Sequence, residues 1–536
     1  MQVFKKMQKV KAAAEGLAAV MAVTCLSGCG GGKQSAKVNL DGEIPKELSI
    51  FSTLGANVSS AGGSSFNDTT TFQLLEEKTG CHVEWQHPAA GAEKERFNMM
   101  IASGEYPDAI VYNWTDVNGG IDSYVDDGVI VDLTRYIEEC MPNFSKLLSE
   151  NPEFKKSVMT DDGKILSIPY IRKDKQLCIY QGTLIRQDWL DKLNLKAPTT
   201  PEELEKVLMA FKTQDPNGNG KADEIPWSAA YGFDNVMGIG PVLWAFNTTY
   251  DFHLKDGKVV YGPTTDAFKE GITYLARLYS EGLIDPDYLT NDRAKMDAKY
   301  TSDISGFGFG FQPSTYYASM NDGKRKVSGI GYLKSADGKN YCYNDAYVQP
   351  VMKSVSLAVT SSNQNVAGTL KWLDNLYGGD GMMYANYGKE GKTYEMKDGE
   401  PVFTEYMTKN SDGKTLAQMV GLTCAVRDSA FPMLQTWQFY KQTLQPWGVD
   451  AIETWMNDNA DTSNILQQIS RTQEESERFS ELMNPIKTYM QEQANKVITG
   501  AVSPDDWDQV VAEINKMGID EVLEIQNAAY ERYLKR

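Results

Sequence analysis

Apolar positions along this chain repeat with two periods, and the two alternate. Glu47-Leu48-Ser49-Ile50-Phe51-Ser52 reads as a first strand, followed by a Gly/Ser/Asn-rich loop to Asp68. Thr71 to Thr79 reads as a helix stopped by Gly80, and Cys81-His82-Val83-Glu84-Trp85 as a second strand. Glu93 to Ala102 is helical, and Asp108 to Tyr112 is a third strand. Strands alternating with short helices predict α/β units on a mostly parallel sheet. Further on, Leu204, Val207, Leu208 and Phe211 share one helical face. Thr200 is the expected N-cap of that helix, with Pro201 in its first turn and Glu203 closing a capping box. A second amphipathic helix runs from about Thr265 to Glu281, with Phe268, Ile272, Leu275, Leu278 and Tyr279 apolar and Gly282 as its stop. Asp-Gly pairs at 162–163, 256–257, 337–338, 398–399 and 412–413 predict turns. Gly306 to Phe311 is a glycine-rich strand, and helix formers dominate from Thr472 to Arg536. No repeat of fixed period is present.

The first residues follow another pattern. Lys5, Lys6, Lys9 and Lys11 precede an apolar run from Gly16 to Leu26, and Leu26-Ser27-Gly28-Cys29 ends it. The run is shorter than the about 20 apolar residues that a spanning helix needs, so it reads as a removable signal. The segment resembles the lipobox of bacterial lipoproteins. That resemblance implies that residues 1–28 are removed and that Cys29 takes a diacylglycerol as the first mature residue. Two acyl chains suffice for stable anchoring. Residues 29–45 then form a lipidated polar tether, and the remainder works on the extracytoplasmic face of the cell membrane.

Length and charge narrow the function classes. A chain of 536 residues suggests two or more domains or one large bilobal unit. Hydrophobic residues make up 41% and charged residues 23%, as in soluble globular proteins. The formal charge of -19, near -22 once the signal's four lysines and one glutamate are gone, disfavours nucleic acid as a partner. Of seven cysteines, Cys25 leaves with the signal and Cys29 carries lipid. Cys81, Cys140, Cys178, Cys342 and Cys424 remain, widely spaced and without a C-x-x-C. They read as isolated buried thiols rather than a disulfide framework or zinc site, although the sequence leaves room for one pair.

Asp215-Pro216-Asn217-Gly218-Asn219-Gly220-Lys221-Ala222-Asp223-Glu224 carries candidate metal chemistry. Oxygen donors at positions 1, 3 and 5, glycine at 6 and a carboxylate at 9 match the first part of an EF-hand calcium loop. The match ends there. Position 12 is Pro226, so Glu224 must supply the closing carboxylate, and Ile225-Pro226-Trp227 cannot continue as a helix. A structural calcium ion is the expectation, not a calcium switch. The alternative is an Asn-Gly-rich turn that binds nothing.

Several segments together resemble the extracellular solute-binding lipoproteins of bacterial ABC importers. Within them the likeness is to the large sugar-binding group that includes calcium-containing alginate-binding proteins. The segments are Cys29, Gly104-Glu105-Tyr106-Pro107-Asp108, Asp162 to Pro169, Ile185 to Leu193, the calcium loop, and Tyr387-Gly388-Lys389-Glu390-Gly391. The resemblance implies an α/β, bilobal periplasmic-binding-protein-like fold: two α/β lobes around a ligand cleft, joined by a hinge of two or three crossings. On that pattern one lobe takes 46–168 plus 341–408, and the other 169–340 plus 409–536. It also implies a monomer that serves ABC transporter permease subunits, with Ca2+ held by Asp215, Asn217, Asn219, Lys221 (through its carbonyl), Asp223 and Glu224.

A sugar cleft needs aromatic platforms for C–H faces and polar groups for ring edges. The chain has 10 tryptophans and 28 tyrosines. Trp114 follows a strand at its carboxyl end, where α/β sheets bind ligands. Tyr180 lies near the first expected crossing, and Trp244 follows Gly240-Pro241 in a loop. Tyr316 and Tyr317 follow the glycine-rich strand, Asn57 follows the first strand, and Trp437 lies in a late loop. Each reads either as a ligand contact or as packing. Trp189 is expected in the core, and Arg186 and Asp188 in a structural charge pair.

Catalytic signatures are missing: there is no His-Glu-x-x-His, Gly-x-Ser-x-Gly or Walker loop. His82, His87 and His253 are not paired at metal-ligand spacing. The sequence therefore reads as a lipid-anchored binding protein, not an enzyme, that captures a carbohydrate, most simply an oligosaccharide, by lobe closure. The alternatives are a peptide-binding or adhesive surface lipoprotein and, less favoured, an extracellular glycoside hydrolase.

Overall fold

The computed structural model describes residues 39–536 apart from 236, 314–319, 321, 412 and 426–429. The expected signal, Cys29, most of the tether, Tyr316, Tyr317 and Asp412 lie outside the described residues. In chain order the strands are β1 (Glu47–Phe51), β2 (His82–Gln86), β3 (Ala109–Tyr112), β4 (Ile168–Arg172), β5 (Gln181–Arg186) and β6 (Ile225–Trp227). A hairpin, β7 (Phe252–Lys255) and β8 (Lys258–Tyr261), precedes β9 (Ser305–Phe311), β10 (Val327–Ile330) and β11 (Val351–Val359). A second hairpin, β12 (Tyr394–Lys397) and β13 (Glu400–Phe403), precedes β14 (Leu434–Gln435). The Asp-Gly pairs at 256–257 and 398–399 form the two hairpin turns, with Asp256 and Asp398 at φ 52°.

Two sheets organise these strands. The larger has the order β14-β4-β11-β3-β1-β2, and the smaller β10-β5-β9-β6. In the larger sheet β1 pairs in parallel with β2 and β3, while β11 runs against β3 and β4. β14 runs with β4. Hence β1, β2, β3, β4 and β14 all end on one edge. In the smaller sheet β6 is parallel to β9, and β5 is antiparallel to β9 and β10. The carboxyl ends of β6, β9 and β10 therefore share an edge with the start of β5.

Local chemistry explains the helices of the second sheet. Thr200 caps the helix Pro201–Thr213 by accepting from Glu203 N. The expected capping box does not close. The Glu203 carboxylate instead accepts from the N–H and hydroxyl of Thr199, one residue earlier. Thr265 caps Asp266–Ser280. Leu204, Leu208, Phe211, Phe268, Ile272, Leu275 and Leu278 meet Trp189, Trp227 and Phe307 in one core. The C-terminal helices Gln473–Ile498, Trp507–Lys516 and Ile519–Leu534 close that core with Ile486, Val497, Trp507, Ile514 and Val522. The glycines of β9 are needed for this approach, since a Cβ on Gly306 would sit 2.5 Å from Phe211 and 2.8 Å from Trp189.

Three passages link the sheets. The chain leaves β4 at Arg172 and enters β5 at Gln181, returns from β10 to β11 through 331–350, and leaves β14 for the helix Pro446–Asn457. That helix lies on β5 and β10, where a Cβ on Gly182 would sit 2.4 Å from Trp455 and one on Gly329 2.8 Å from Ala451. Leu434–Gln435 thus sits in the larger sheet, whereas the expected boundary placed everything after 408 with the smaller one. A two-residue strand carries too little pattern to be read. The direct step from the end of β4 to the start of β5 makes the two ligand-competent edges adjoin.

Candidate functional site

Open α/β sheets bind ligands outside the carboxyl ends of their strands, and here both such edges meet around Tyr180. The Tyr180 carbonyl accepts from Gln312 N at 2.9 Å, which ties it to the end of β9. Its ring stacks on Phe311 with centroids 6.0 Å apart and an interplanar angle of 16°. The Arg172 guanidinium lies 5.0 Å above Tyr180, and that of Arg293 5.6 Å from Phe311. Two half-buried rings are thus flanked by two cations, a geometry worth about 0.5–2 kcal/mol per contact. Trp437 opens the short helix Trp437–Tyr440, and its N–H donates to Asp174 Oδ2 at 2.6 Å. Trp437 and Phe311 are both half-buried against the core of Ile179, Tyr332, Tyr347 and Ile452.

The passage 331–350 is clamped to the same point. Tyr332 and Tyr347 both donate to the Gln181 carbonyl, at 3.2 and 2.9 Å, and Asn344 Nδ2 donates to Gln181 Oε1 at 3.1 Å. Asp234 and Asp345 lie close enough to Asp251 for their charges to act on it. Asp251 is half-buried, and its Oδ1 accepts from Phe252 N at 2.8 Å. Burial pushes its carboxyl up, and Asp234 and Asp345 push the same way against Lys487. Burial also raises the phenol of Tyr250, with Asp251, Asp234 and Asp345 adding to it. Asp345 Oδ2 accepts from Gln349 Nε2 at 2.8 Å, and Gln349 Oε1 from Gln468 Nε2 at 2.9 Å.

At the rim, Tyr231 is 46% exposed in the loop after β6. Its N–H donates to the carbonyl of Asn291 at 2.9 Å, and the buried Asn291 amide holds Ala229 O and Asp285 Oδ2. The loop is therefore fixed while the ring stays outside. Sequence reading missed Tyr231, although its place after a strand's carboxyl end was a usable signal. Asp251, Asp345, Gln349 and Gln468 gave no signal, being brought together only by the tertiary fold.

The other sequence candidates divide. Tyr180 and Trp437 reach the junction. Trp114 is 3% exposed, donates from its indole to Ser356 O at 3.1 Å, and packs edge-on against Phe97 and Tyr124 in the core of the larger sheet. Trp244 lies not in a loop but in the 3-10 turn Gly240–Phe246, edge-on to Phe309 and Tyr332. Asn57 lies in the short helix Ala56–Ser60, half-buried with its backbone against Gly421. Trp189 is 1% exposed and edge-on to Phe211, as core. The five described cysteines are free and buried.

The loop 215–224 has the backbone of a cation loop. Asp215 Oδ1 accepts from Gly218 N and Asn219 N, and Oδ2 from Gly220 N, folding the chain around the first carboxylate. Gly218 and Gly220 take φ 73° and 76°, which a side chain would strain. The amides of Asn217 and Asn219 both donate to Asp223 Oδ1. Glu224 Oε1 is buried without a hydrogen-bond partner. Among the described residues no three His, Cys, Asp or Glu side chains already converge as a metal site. The donor set nevertheless fits a hard cation: it is all oxygen, and one buried carboxylate oxygen has no donor. The loop sits at the far end of the smaller sheet from Tyr180, since Asn217 Nδ2 donates to Asp303 O just before β9 begins. No helix among the described residues is long and apolar enough to cross a membrane.

Comparison with known proteins adds to this geometry. Residues 62–383 match the family model for bacterial extracellular solute-binding proteins. The fructooligosaccharide ABC transporter substrate-binding protein FusA of Streptococcus pneumoniae serotype 4 is 28% identical over 501 residues, 87% of each chain. The lipoprotein LipO of Bacillus subtilis is 27% identical over 355 residues, 63% of this chain and 66% of LipO. The alginate-binding protein AlgQ2, solved without calcium ion, superposes with a TM-score of 0.66 at 23% identity, over 92% of this chain and 98% of its own. The fold is the bilobal α/β arrangement of periplasmic binding proteins.

Proposed function

The chain belongs to the family of bacterial extracellular solute-binding proteins, and on that premise we propose that it captures a carbohydrate, most simply an oligosaccharide, for an ABC transporter permease. The observation that carries the reading is the half-buried Tyr180–Phe311 ring pair set between Arg172 and Arg293, where the carboxyl edges of both sheets meet. Rings offer C–H faces a platform, while Asp345, Gln349, Trp437 and Tyr231 supply polar edges and further aromatic area. The substrate named for FusA supports the same class. The work is binding, not chemistry. Ligand touching both lobes favours the closed state by its differential affinity, and the closed form docks on the permease. For the lobes we propose 46–168 plus 341–408 and 169–340 plus 409–536, with Leu434–Gln435 moved to the first.

Two accessory features belong to the reading. The lipobox pattern supports attachment through Cys29 on the extracytoplasmic face of the cell membrane, and one relative is named a lipoprotein. Asp215, Asn217, Asn219, Asp223 and Glu224, with the Lys221 carbonyl, would hold Ca2+, which supplies fixed positive charge to a crowded acidic loop. A thermal-shift screen of the mature chain against oligosaccharides, monosaccharides and peptides tests the reading. A ligand at 100 times its dissociation constant adds about 2.7 kcal/mol. A shift with a glycan that is recovered uncleaved supports capture. Cleavage would replace it with hydrolysis, and shifts with peptides alone would replace sugar with peptide.

A further inference from the structure

We infer that the lobes close about a clasp outside the three passages: Asp161 of the larger-sheet lobe, held by Arg532 and Arg536 of the other, positions the lobes for the solute without touching it. The inference rests on the reading of capture by closure above. The helix Ile519–Leu534 packs in the core of the smaller sheet through Ile519 and Val522. Asp161 belongs to the other side. It lies between the helix Pro152–Val158 and β4, in a turn where Thr160 N donates to Lys164 O at 2.8 Å and Gly163 N to Thr160 O at 3.0 Å. Its Oδ2 accepts from Arg532 Nε at 3.1 Å, and its Oδ1 accepts from Arg536 Nε at 2.7 Å with Arg536 Nη2 2.5 Å away. Lys156, on the helix Pro152–Val158, adds a second crossing, its ammonium 4.4 Å from the Tyr533 ring centre.

Each partner is fixed on its own lobe. Arg532 also donates to Glu475 Oε1 at 2.9 Å and to Ser470 O at 3.2 Å, and Arg536 donates to Ser470 Oγ at 2.7 Å. The Arg536 side chain is 0% exposed and that of Asp161 23%. Exposed ion pairs contribute little, but parting this one would strand a fully buried guanidinium, which is costly. Guanidinium contacts to a carboxylate are directional as well as strong. Closure that turns about Asp161 keeps the contact, whereas closure that opens it strands Arg536. A fixed pivot also narrows the arrangements that the empty lobes sample, so the ligand has less ordering left to impose.

Spin labels across the cleft test this. Met99→Cys and Met209→Cys place them on exposed positions of the larger- and smaller-sheet lobes. Cys29→Ser keeps the label off the lipidation site, and the five other native thiols are buried. Double electron–electron resonance then reads the distance between lobes. Asp161→Asn is expected to broaden the sugar-free distribution and to weaken, by calorimetry, the sugar that the unaltered chain binds at least about threefold. Saturating sugar should restore the unaltered closed distance. Glu475→Gln removes an ion pair from the same Arg532 inside one lobe, and is expected to change neither reading. If Asp161→Asn melts early, Asp161→Asn with Arg536→Gln, which removes the stranded guanidinium, gives both readings instead. An unchanged distribution, an unchanged affinity, or equal changes with Glu475→Gln overturns the pivot while carbohydrate capture stands. Binding of peptides and no sugar removes the carbohydrate reading, and the ligand-free distributions still decide the pivot.

Discussion

Replacing Arg186 by methionine isolates the charge relay that ties the cation loop to the smaller sheet. Arg186 ends β5 and is 1% exposed. Its Nε and Nη2 clasp Asp188 at 2.8 and 2.6 Å, its Nη1 lies 2.5 Å from Asp303, and its Cζ lies over the Trp189 ring, 4.5 Å from the centroid. Asp188 also accepts from Lys326 N, and the Asp303 carbonyl from Asn217. Methionine keeps the unbranched apolar stem and some contact with the indole, so the loss is mainly electrostatic. Removing one member of a buried ion pair costs about 3–5 kcal/mol. Asp188 and Asp303 are 20% and 35% exposed, so water recovers part of their charge, and the expected loss is about 2–4 kcal/mol. Urea unfolding, followed by tryptophan fluorescence because Trp189 sits against the site, reads it directly. A triple variant that adds Asp188→Asn and Asp303→Asn removes the stranded carboxylates and should regain at least half of the loss. A loss below about 0.5 kcal/mol, the level of an exposed pair, or a triple variant no more stable than the single one, would refute the relay.

Other outcomes follow from the same coordinates. Tyr180→Ala is expected to weaken sugar binding about five- to thirtyfold, by losing roughly 1–2 kcal/mol of ring contact, with melting nearly unchanged; unaltered affinity by calorimetry would move the platform elsewhere. Calcium at 10 mM, with a dissociation constant on the order of 0.1–1 mM, should stabilise by about 1.4–2.7 kcal/mol, and Asp215→Ala should abolish that gain; equal melting curves with and without chelator count against the cation loop. His253 is 2% exposed, and burial depresses its pKa from 6.5 to about 4. The unfolded chain then binds the extra proton first, so this contribution is intact above pH 6.5 and fades as pH falls towards about 4, by at most about 3 kcal/mol. His253→Phe should flatten that slope, and an unchanged slope would show that His253 is not its source. Burial lifts the Cys178 thiol to about 11 and that of Cys81 to about 12. Native protein at pH 8 should leave both unmodified by a thiol reagent until it unfolds.

What was legible in the sequence is what neighbours in the chain decide. Thr200, Pro201 and Thr265 set their helices within a few residues, and both helices begin where expected. Even there a competing partner one residue away, Thr199, took the Glu203 carboxylate and left the capping box open. The alternating Gly-Phe run of β9 marked a strand, but not that its glycines exist to admit Trp189, Phe211 and Tyr300. Trp114 read equally as a ligand contact or as packing because it follows a strand end; the carbonyl it meets belongs to Ser356, far along the chain. The Asp345–Gln349–Gln468 hydrogen-bond chain was invisible for the same reason. Gln468 is separated from Asp345 and Gln349 by more than a hundred residues and meets them only in the tertiary fold. Tyr180 was found because it lies in the shortest of the three passages between the sheets.

The central claim is capture by closure, and small-angle X-ray scattering of the calcium-loaded mature chain reads it most directly. Saturation with an oligosaccharide that binds, recovered intact afterwards, should reduce the radius of gyration as the two lobes shut on it. Tyr180→Ala should need more sugar to reach the same reduction. Saturated binding with an unchanged radius of gyration would contradict the account, because a ligand that does not favour the closed form gives a permease nothing to recognise.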